Sequence, residues 1–266
     1  MAGPQLAAAA AAARAPPQGD VTVTVEAPSF SSRRLVAATP ILAPPERVWE
    51  ALTDYDGLGT FIPSLVENRC LERRERGAVL YQVGAQDVAL GVKFRAACTL
   101  EIREHPRGLP PRLLAPPAYQ PPAPFGFNLG FVPPPLAAAG SSAYPWPSQS
   151  LPGQPVLGDL TFDLVKGDFE AFRGLWRVQQ GVSGPASAWL VYCLHVRPQA
   201  WLPVGLIQDR ISREVVTNLR AVRRHVEVLH HTRPATAAAA AAGQRSRQTQ
   251  QPQQQPQQRP RGVSGA

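Results

Sequence analysis

Apolar and polar residues alternate in several short stretches, and this pattern predicts strands along most of the first hundred residues. Residues 21–25 alternate strictly, and 34–41 form a second extended stretch after a pair of serines. Three further stretches, 66–74, 78–86 and 89–103, are separated by short turn-like sequences. Because short connections are typical of antiparallel neighbours, we predict a series of antiparallel strands.

The stretch 89–103 has the clearest two-residue period in the chain. One of its faces is charged and polar, and the other carries Val92, Phe94, Ala96, Cys98, Leu100 and Ile102. Three later stretches, around 160–164, 172–178 and 190–196, repeat the alternation. We therefore expect half-buried strands with one apolar and one polar face.

A long amphipathic helix is predicted over 203–230, because apolar residues recur there every three or four positions. These residues are Val204, Ile207, Ile211, Val215, Leu219, Val222, Val226 and Leu229. The same pattern places five arginines on the opposite side, at Arg210, Arg213, Arg220, Arg223 and Arg224. At 1.5 Å per residue such a helix is about 42 Å long, so it can span a whole sheet.

Two short helices are predicted between residues 43 and 62. Pro45 and Glu46 favour a helix start, because the first turn needs no proline N–H and its dipole attracts negative charge. A turn at 54–57 precedes a second apolar piece, 58–62, which Pro63 ends. We expect both helices to form a lid over a cavity. Its gate, the residues expected to open and close it, consists of Tyr55, Leu58, Phe61 and Ile62.

These elements together predict an α+β fold. It is a curved antiparallel sheet of six to seven strands around the long C-terminal helix, with the two short lid helices at one end. The reason is that a sheet with one apolar face can cover a single long helix only by curling around it.

Composition divides the chain into one predicted domain, 20–230, and two biased ends. Residues 1–19 are alanine-rich, and 231–266 pass from alanine into glutamine, proline and arginine, so we expect both to be disordered. A proline-rich segment, 105–157, interrupts the domain and holds fifteen of the 30 prolines. Its aromatic residues could dock on a partner or cover a sheet edge, but the composition favours an inert low-complexity insertion.

The net charge of +8 does not indicate a nucleic-acid-binding domain. Five arginines after His231, with no acid among them, supply +5 of it, so residues 1–231 carry only +3. The three cysteines have no metal-binding spacing and are expected to be reduced core residues. No apolar run is long enough to span a bilayer, so we expect a soluble chain. The acid-free start suggests a plastid address, with the mitochondrion as the alternative.

Candidate chemistry is sparse. The five histidines have no ligand spacing with a carboxylate, so no metal site is predicted, and the hydrolase, Walker and dinucleotide-binding motifs are missing from the sequence. Acid–base catalysis needs a titratable group in an apolar pocket. Glu101 and Asp163 lie in the polar phase of strands, and Asp54, Asp56 and Asp168 belong to turns, so no catalytic residue is assigned.

Four segments of the chain resemble the START-like superfamily, also called SRPBCC. They read RVWEALTDYDGLGTFIPSLVENRCLER, VGAQDVALGVKFRA, DLVKGDFEAFRGLWRV and VRPQAWLPVGLIQDRISREVVTNLRAV. The resemblance is strongest to the coenzyme Q-binding and polyketide cyclase/dehydrase branch, in its plant and algal form. It implies the helix-grip fold and an interior space that holds a hydrophobic molecule, and it implies no cofactor. The proline-rich 105–157 departs from the family pattern, because a tight link between strands is expected there.

Aromatic and apolar residues on the predicted inner faces are the candidate ligand contacts. Tyr81, Trp176 and Tyr192 combine a large apolar body with one hydrogen-bonding atom, while the others supply surface alone: Phe61, Phe94, Phe162, Ile207 and Ile211. Each of them could equally belong to a filled core. Trp201 and Leu202, just before the long helix, would suit brief membrane contact.

The leading hypothesis is a non-catalytic protein that binds, and possibly transports, a neutral hydrophobic ligand such as a prenylquinone, another isoprenoid or a lipid. The alternative is a polyketide cyclase/dehydrase-type enzyme that uses the same cavity. Ribosome association, known for other members of the same branch, is disfavoured by the small charge on residues 1–231. The sequence leaves the oligomeric state open.

Overall fold

The computed structural model of the chain describes residues 20–87, 93–115, 143–199 and 204–232. Within these ranges, only the backbone is described at 86, 87, 93, 94 and 204–207. The chain forms two compact units, Met1–Glu227 and Val228–Ala266. In the second unit, the described residues form the last helical turn, where the Thr232 hydroxyl donates to the Val228 carbonyl at 2.9 Å. The fold and the site described below belong to the first unit.

Eight antiparallel strands form the main sheet. They are β1 (Thr22–Ser29), β2 (Ser32–Ile41), β3 (Leu65–Arg74), β4 (Gly77–Asp87), β5 (Lys93–Pro106), β8 (Val156–Gly167), β9 (Phe169–Gly181) and β10 (Gly184–Pro198). Their spatial order is β1-β2-β10-β9-β8-β5-β4-β3. A short parallel pair, β6 (Leu114–Ala115) with β7 (Tyr144–Pro145), lies in the proline-rich segment. The sheet has one strand more than predicted, because residues 21–41 form two full strands.

The three predicted helices are present as α1 (Pro45–Thr53), α2 (Leu58–Phe61) and α3 (Val204–Thr232). Pro45 occupies the first turn of α1 together with Glu46, as the sequence indicated. The backbone is extended at Ile62, directly before Pro63, and this ends α2. The prediction of two short helices before β3 and one long C-terminal helix is confirmed.

The main core lies between the inner face of the sheet and α3. Val215, Leu219, Val222 and Val226 of α3 are at most 4% exposed and pack in one cluster with sheet residues and the lid helices. The sheet contributes Leu35, Ile41, Leu80, Leu100, Leu190 and Leu194. The predicted α+β architecture, a curved antiparallel sheet around a long helix, is confirmed.

The outer face of the sheet is apolar as well along β2, β9 and β10, which corrects the expectation of one polar face. A second core on that side contains Val36, Ala38, Leu109, Leu114, Tyr144, Leu175, Trp189, Val191 and Cys193. Leu109, Leu114 and Tyr144 come from the 105–157 segment. The described parts of that segment therefore cover the sheet and are not inert.

Buried hydrogen bonds fix this cover to the strands. The Asp159 carboxylate is fully buried, pairs with Arg177 at 2.7 Å and accepts a bond from the Leu109 backbone N–H at 2.7 Å. On the other side of the cover, the indole N–H of Trp189 donates to the Gln149 carbonyl at 2.8 Å. Each of these polar groups has a hydrogen-bond partner, so its burial leaves no hydrogen bond unmade.

Among the described glycines of the sheet, Gly174 on β9 has the closest neighbouring atom. A Cβ added there would lie 1.9 Å from the Cys193 carbonyl oxygen and 2.5 Å from Cζ of Phe162. Only a glycine allows the Phe162 ring to lie across β9 at this point.

We expect Gly174→Ala to lower the free energy of unfolding by at least about 2 kcal/mol, because backbone or ring must move to admit the methyl group. The matched control is Gly84→Ala in β4. There the nearest atoms would lie at 3.8 and 4.0 Å, an ordinary contact, so little change is expected. Urea unfolding of both variants measures the difference, and equal stability would contradict the close approach.

Candidate ligand-binding cavity

A cavity of about 210 Å³ lies between the inner face of the sheet, α2 and the first half of α3. Its wall is mainly apolar and includes Leu52, Leu58, Ile62, Leu65, Leu80, Leu100, Ile102, Leu160, Leu194, Ile211 and Val215. These residues come from the lid, from the strands β3, β4, β5, β8 and β10, and from α3. The lining, mostly apolar with a few polar side chains, is that of a small-molecule site.

Aromatic rings from three adjacent strands form one side of the cavity. Tyr192 on β10 lies at the centre of this group, with its ring centroid 4.3 Å from that of Trp176 and 5.7 Å from that of Phe162. Phe172 extends the group, 5.7 Å from Phe162 and 5.2 Å from Phe169. Rings at these distances support one another in tilted and offset contacts, so this wall is stiff.

Four of the eight candidate ligand contacts line this cavity: Phe162, Trp176, Tyr192 and Ile211. Tyr81 lies elsewhere, because Leu80 takes the inner position of β4 and leaves Tyr81 under the Arg69 guanidinium, 4.8 Å from its ring centroid. Phe61 stacks on His225 of α3 with centroids 4.0 Å apart and is not part of the described wall.

The remaining candidates lie outside what the structure describes. Phe94 and Ile207 belong to β5 and α3 by their backbones, but their side chains are not described. Trp201 and Leu202, the candidate membrane contacts, also fall outside the described residues.

Three gate residues, Tyr55, Leu58 and Ile62, lie on the cavity wall. Tyr55 is firmly held: its hydroxyl donates to Glu104 at 2.7 Å, and its carbonyl accepts from the Asn68 amide at 2.8 Å. Burial and the bond to Glu104 raise the pKa of Tyr55, so the phenol is protonated and donates. The side chains of Leu58 and Ile62 are aliphatic and make no hydrogen bond, so among these three Tyr55 is the residue whose side chain is held by one.

Three polar residues of α3 also line the cavity, and the sequence analysis missed all of them. Arg210, Glu214 and Asn218 follow one another at four-residue spacing. Arg210 was expected on the side opposite the apolar stripe, but the structure places it in the cavity wall. Residues four apart lie on one row of a helix, and this row continues into Val222 and Val226, which are buried.

Burial favours the neutral forms of two titratable side chains in the cavity wall, Glu214 and Tyr192. Burial raises the pKa of Glu214, although Arg210, with its Nε 3.6 Å from the Glu214 carboxylate, acts in the opposite direction. Burial also raises the pKa of Tyr192, and Cys193 and Glu214 add to that shift. At neutral pH the Tyr192 phenol is therefore protonated and can donate a hydrogen bond into the cavity.

The carboxylates considered from the sequence have structural partners. Asp168 accepts a bond from the Ala97 backbone N–H at 2.7 Å, and Glu101 pairs with Arg74 and with Arg103. Tyr144 from the cover donates to Asp163. None of these acids lies in the cavity wall as described. Among the described residues, no group of three histidine, cysteine, aspartate or glutamate side chains is placed to hold a metal ion.

We expect Tyr55→Phe to loosen the lid, because it deletes the hydroxyl that donates to Glu104 and leaves that carboxylate without this donor. The expected cost is about 1–2 kcal/mol of unfolding free energy, with faster amide hydrogen exchange over 58–62. Tyr81→Phe is the control, since that ring lies outside the cavity, and it should leave exchange in the lid unchanged. Unaltered lid exchange in Tyr55→Phe would show that this bond does not hold the gate.

None of the described helices is long and apolar enough to cross a membrane. Comparison with proteins that carry curated descriptions gives no significant match.

Several solved structures are similar to this chain. A STAR-related lipid transfer protein from Xanthomonas axonopodis superposes with a TM-score of 0.50 at 12% identity, over 77% of this chain and 93% of that one. The Zhui aromatase/cyclase from Streptomyces sp. R1128 gives 0.47 at 16% identity, over 77% and 98%. A START superfamily protein from Mycobacterium smegmatis gives 0.43 at 12% identity, over 79% and 99%.

The family comparison covers most of the folded unit. Residues 41–223 match the family model described as polyketide cyclase/dehydrase and lipid transport. This range begins at the end of β2 and ends within α3, so it includes the lid, the strands that form the cavity and the polar row. The chain belongs to the polyketide cyclase/dehydrase and lipid transport family.

Proposed function

We propose that this protein binds a neutral hydrophobic molecule in the cavity and carries it without altering it. The observation that supports this most is the lining: rings and aliphatic side chains from the sheet, the lid and α3 converge on one space of about 210 Å³. A ligand that buries about 300 Å² of apolar surface there would gain about 7 kcal/mol before the costs of binding are subtracted.

The proposed ligand class is a prenylquinone, another isoprenoid or a lipid. The family includes lipid transport by its description, and the Xanthomonas protein is described as a lipid transfer protein. The finer assignment to the coenzyme Q-binding branch of plant and algal type comes from the four sequence segments alone. The plastid, or alternatively the mitochondrion, remains a prediction from the acid-free start of the chain.

Exchange of the ligand would occur through the gate. The side chains of Leu58 and Ile62 line the wall and make no hydrogen bond, while Tyr55 is hydrogen-bonded to Glu104 and Asn68. A small movement of α2 about Tyr55 would uncover apolar surface without breaking a strand pair. In this proposal, Trp201 and Leu202 would hold the open form at a membrane while the ligand passes.

Native mass spectrometry of the purified full-length chain tests the carrier function. We expect one apolar small molecule to co-purify and to leave on extraction with organic solvent. Ala96→Phe fills the cavity from β5 and should reduce bound ligand at least about tenfold, because a ring would occupy its space. Ala97→Phe, one residue along on the other face of the strand, should retain it. If nothing co-purifies and a fluorescent fatty-acid probe does not bind, the carrier function is wrong.

A cyclase/dehydrase activity is the second candidate, and Glu214 is the observation that favours it. This carboxyl lies in the cavity wall with a raised pKa, within electrostatic range of Tyr192 and paired with Arg210. A carboxyl whose pKa is raised by burial is a candidate for exchanging a proton with a bound substrate. The sequence analysis had found no such group.

Turnover separates the two functions. We expect the wild-type protein to return the co-purified ligand and an added poly-β-ketone surrogate chemically unchanged, as judged by liquid chromatography and mass spectrometry. Glu214→Gln should then change ligand affinity by less than about threefold, because Gln keeps the shape of the side chain and a polar contact to Arg210. Conversion by the wild type that is lost in Glu214→Gln, with binding retained, would establish the enzyme instead.

A further inference from the structure

Asn218 is a polar residue of the cavity wall with a buried, unpaired acceptor atom. It lies on α3 between Val215 and Val222, both of which are buried, and it lines the cavity. Its Oδ1 atom is shielded from solvent and accepts no hydrogen bond from the described residues. A buried acceptor without a donor is costly, and native proteins seldom retain one without a reason.

Other polar side chains of the wall are already engaged. The Gln82 amide donates to Asn68 at 2.9 Å, and the Thr161 hydroxyl lies 3.1 Å from Nε2 of His105. Glu214 pairs with Arg210. Asn218 differs from these residues, because its buried acceptor has no donor among the described residues.

We propose that Asn218 binds a hydroxyl group of the apolar ligand, so that the cavity selects phenols, quinols and alcohols over molecules of the same shape that lack a hydroxyl. This inference rests on the proposed carrier function and specifies its ligand. A hydroxyl can donate to Oδ1 and accept from the amide nitrogen of the same side chain, which a ketone or an ether cannot do.

The surroundings of Asn218 disfavour the other donors. An ammonium group would have to leave water and enter a mainly apolar space, which is far more costly than burying a hydroxyl. A ligand carboxylate would bring a second negative group beside Glu214, whose pKa is already raised by burial. A neutral hydroxyl avoids both costs, and the protonated Tyr192 phenol on the facing wall could donate to its oxygen. For a prenylquinone ligand, this arrangement favours the reduced, hydroxyl-bearing form over the oxidised form.

A double-mutant cycle between protein and probe tests the contact. The probes are 2-naphthol and 2-fluoronaphthalene, which have similar size, but only the first donates a hydrogen bond. Asn218→Leu in the full-length chain keeps the size of the side chain and removes its polar atoms. We expect it to weaken 2-naphthol binding by about threefold to tenfold relative to 2-fluoronaphthalene, the value of one neutral hydrogen bond.

The stability of the ligand-free protein gives a second readout. If the Asn218 oxygen has no partner in the empty cavity, Asn218→Leu raises the melting temperature while it weakens 2-naphthol binding. Asn218→Ala, which adds no new apolar contact, should show the same loss of discrimination between the probes. Thr217→Leu is the control, because Thr217 is exposed on the neighbouring position of α3 and its hydroxyl donates to the Arg213 carbonyl at 2.9 Å.

Three outcomes would overturn the hydroxyl contact. They are equal changes for both probes, a melting temperature lowered by Asn218→Leu as though water or protein already satisfied the amide, and failure of 2-naphthol to bind at all. If ligand still co-purifies with the wild type and is lost from Ala96→Phe, the carrier function stands and only the hydroxyl contact is wrong. If no ligand co-purifies and neither probe binds, both are wrong.

Discussion

The packing of α3 against the inner face of the sheet is the interaction on which the rest of the structure depends. Val222 and Val226, in the second half of this helix, pack in the main core. Over the three turns before Val222, the same row of the helix carries Arg210, Glu214 and Asn218, which line the cavity. A single helix thus supplies both the hydrophobic contact that stabilises the fold and three polar side chains of the cavity wall.

An interior cavity persists only if its walls resist collapse, because empty space forfeits packing energy. Two features provide that resistance. The rings of Phe162, Trp176 and Tyr192 support one another on three adjacent strands. Behind them, the proline-rich cover buries the outer face of β9 and β10 and is tied to Asp159 and Trp189 by buried hydrogen bonds. The cover therefore contributes to the site indirectly, by stiffening the strands that form its aromatic wall.

The elements of this fold could be predicted from the sequence, because two-residue and three-to-four-residue periods are local properties. The lid, α3 and the positions of all eight main strands followed from such periods, from Pro45 and from Pro63, although only six to seven strands were expected in the sheet. The outer core could not be predicted. The sequence shows apolar residues on both faces of β2 and β10, but it does not show that the 105–157 segment packs on the outer face. Leu80 and Tyr81 are neighbours on β4 and both are apolar, so the sequence does not show which of them lies on the inner face of the sheet.

The polar row of α3 escaped prediction for a related reason. Arg210 and Glu214 look like an exposed ion pair at four-residue spacing, and only the position of the cavity shows that the pair lies inside. The four-residue continuation from Asn218 to Val222 and Val226 was legible in the sequence and would have identified the row. The sequence does not identify the ligand, because ligand binding depends on the shape of the cavity and on which of its polar atoms lack partners.

The central claim is that the ligand occupies the space between the aromatic wall and α3. Methyl NMR tests this directly: the ligand is first removed from the protein by solvent extraction, and the extracted ligand is then titrated back. The account predicts shifted methyl resonances for Leu58, Leu100 and Ile211, which line the cavity, and unchanged ones for Val36, Leu175 and Val191 on the outer face. Shifts confined to the outer-face methyls would contradict it.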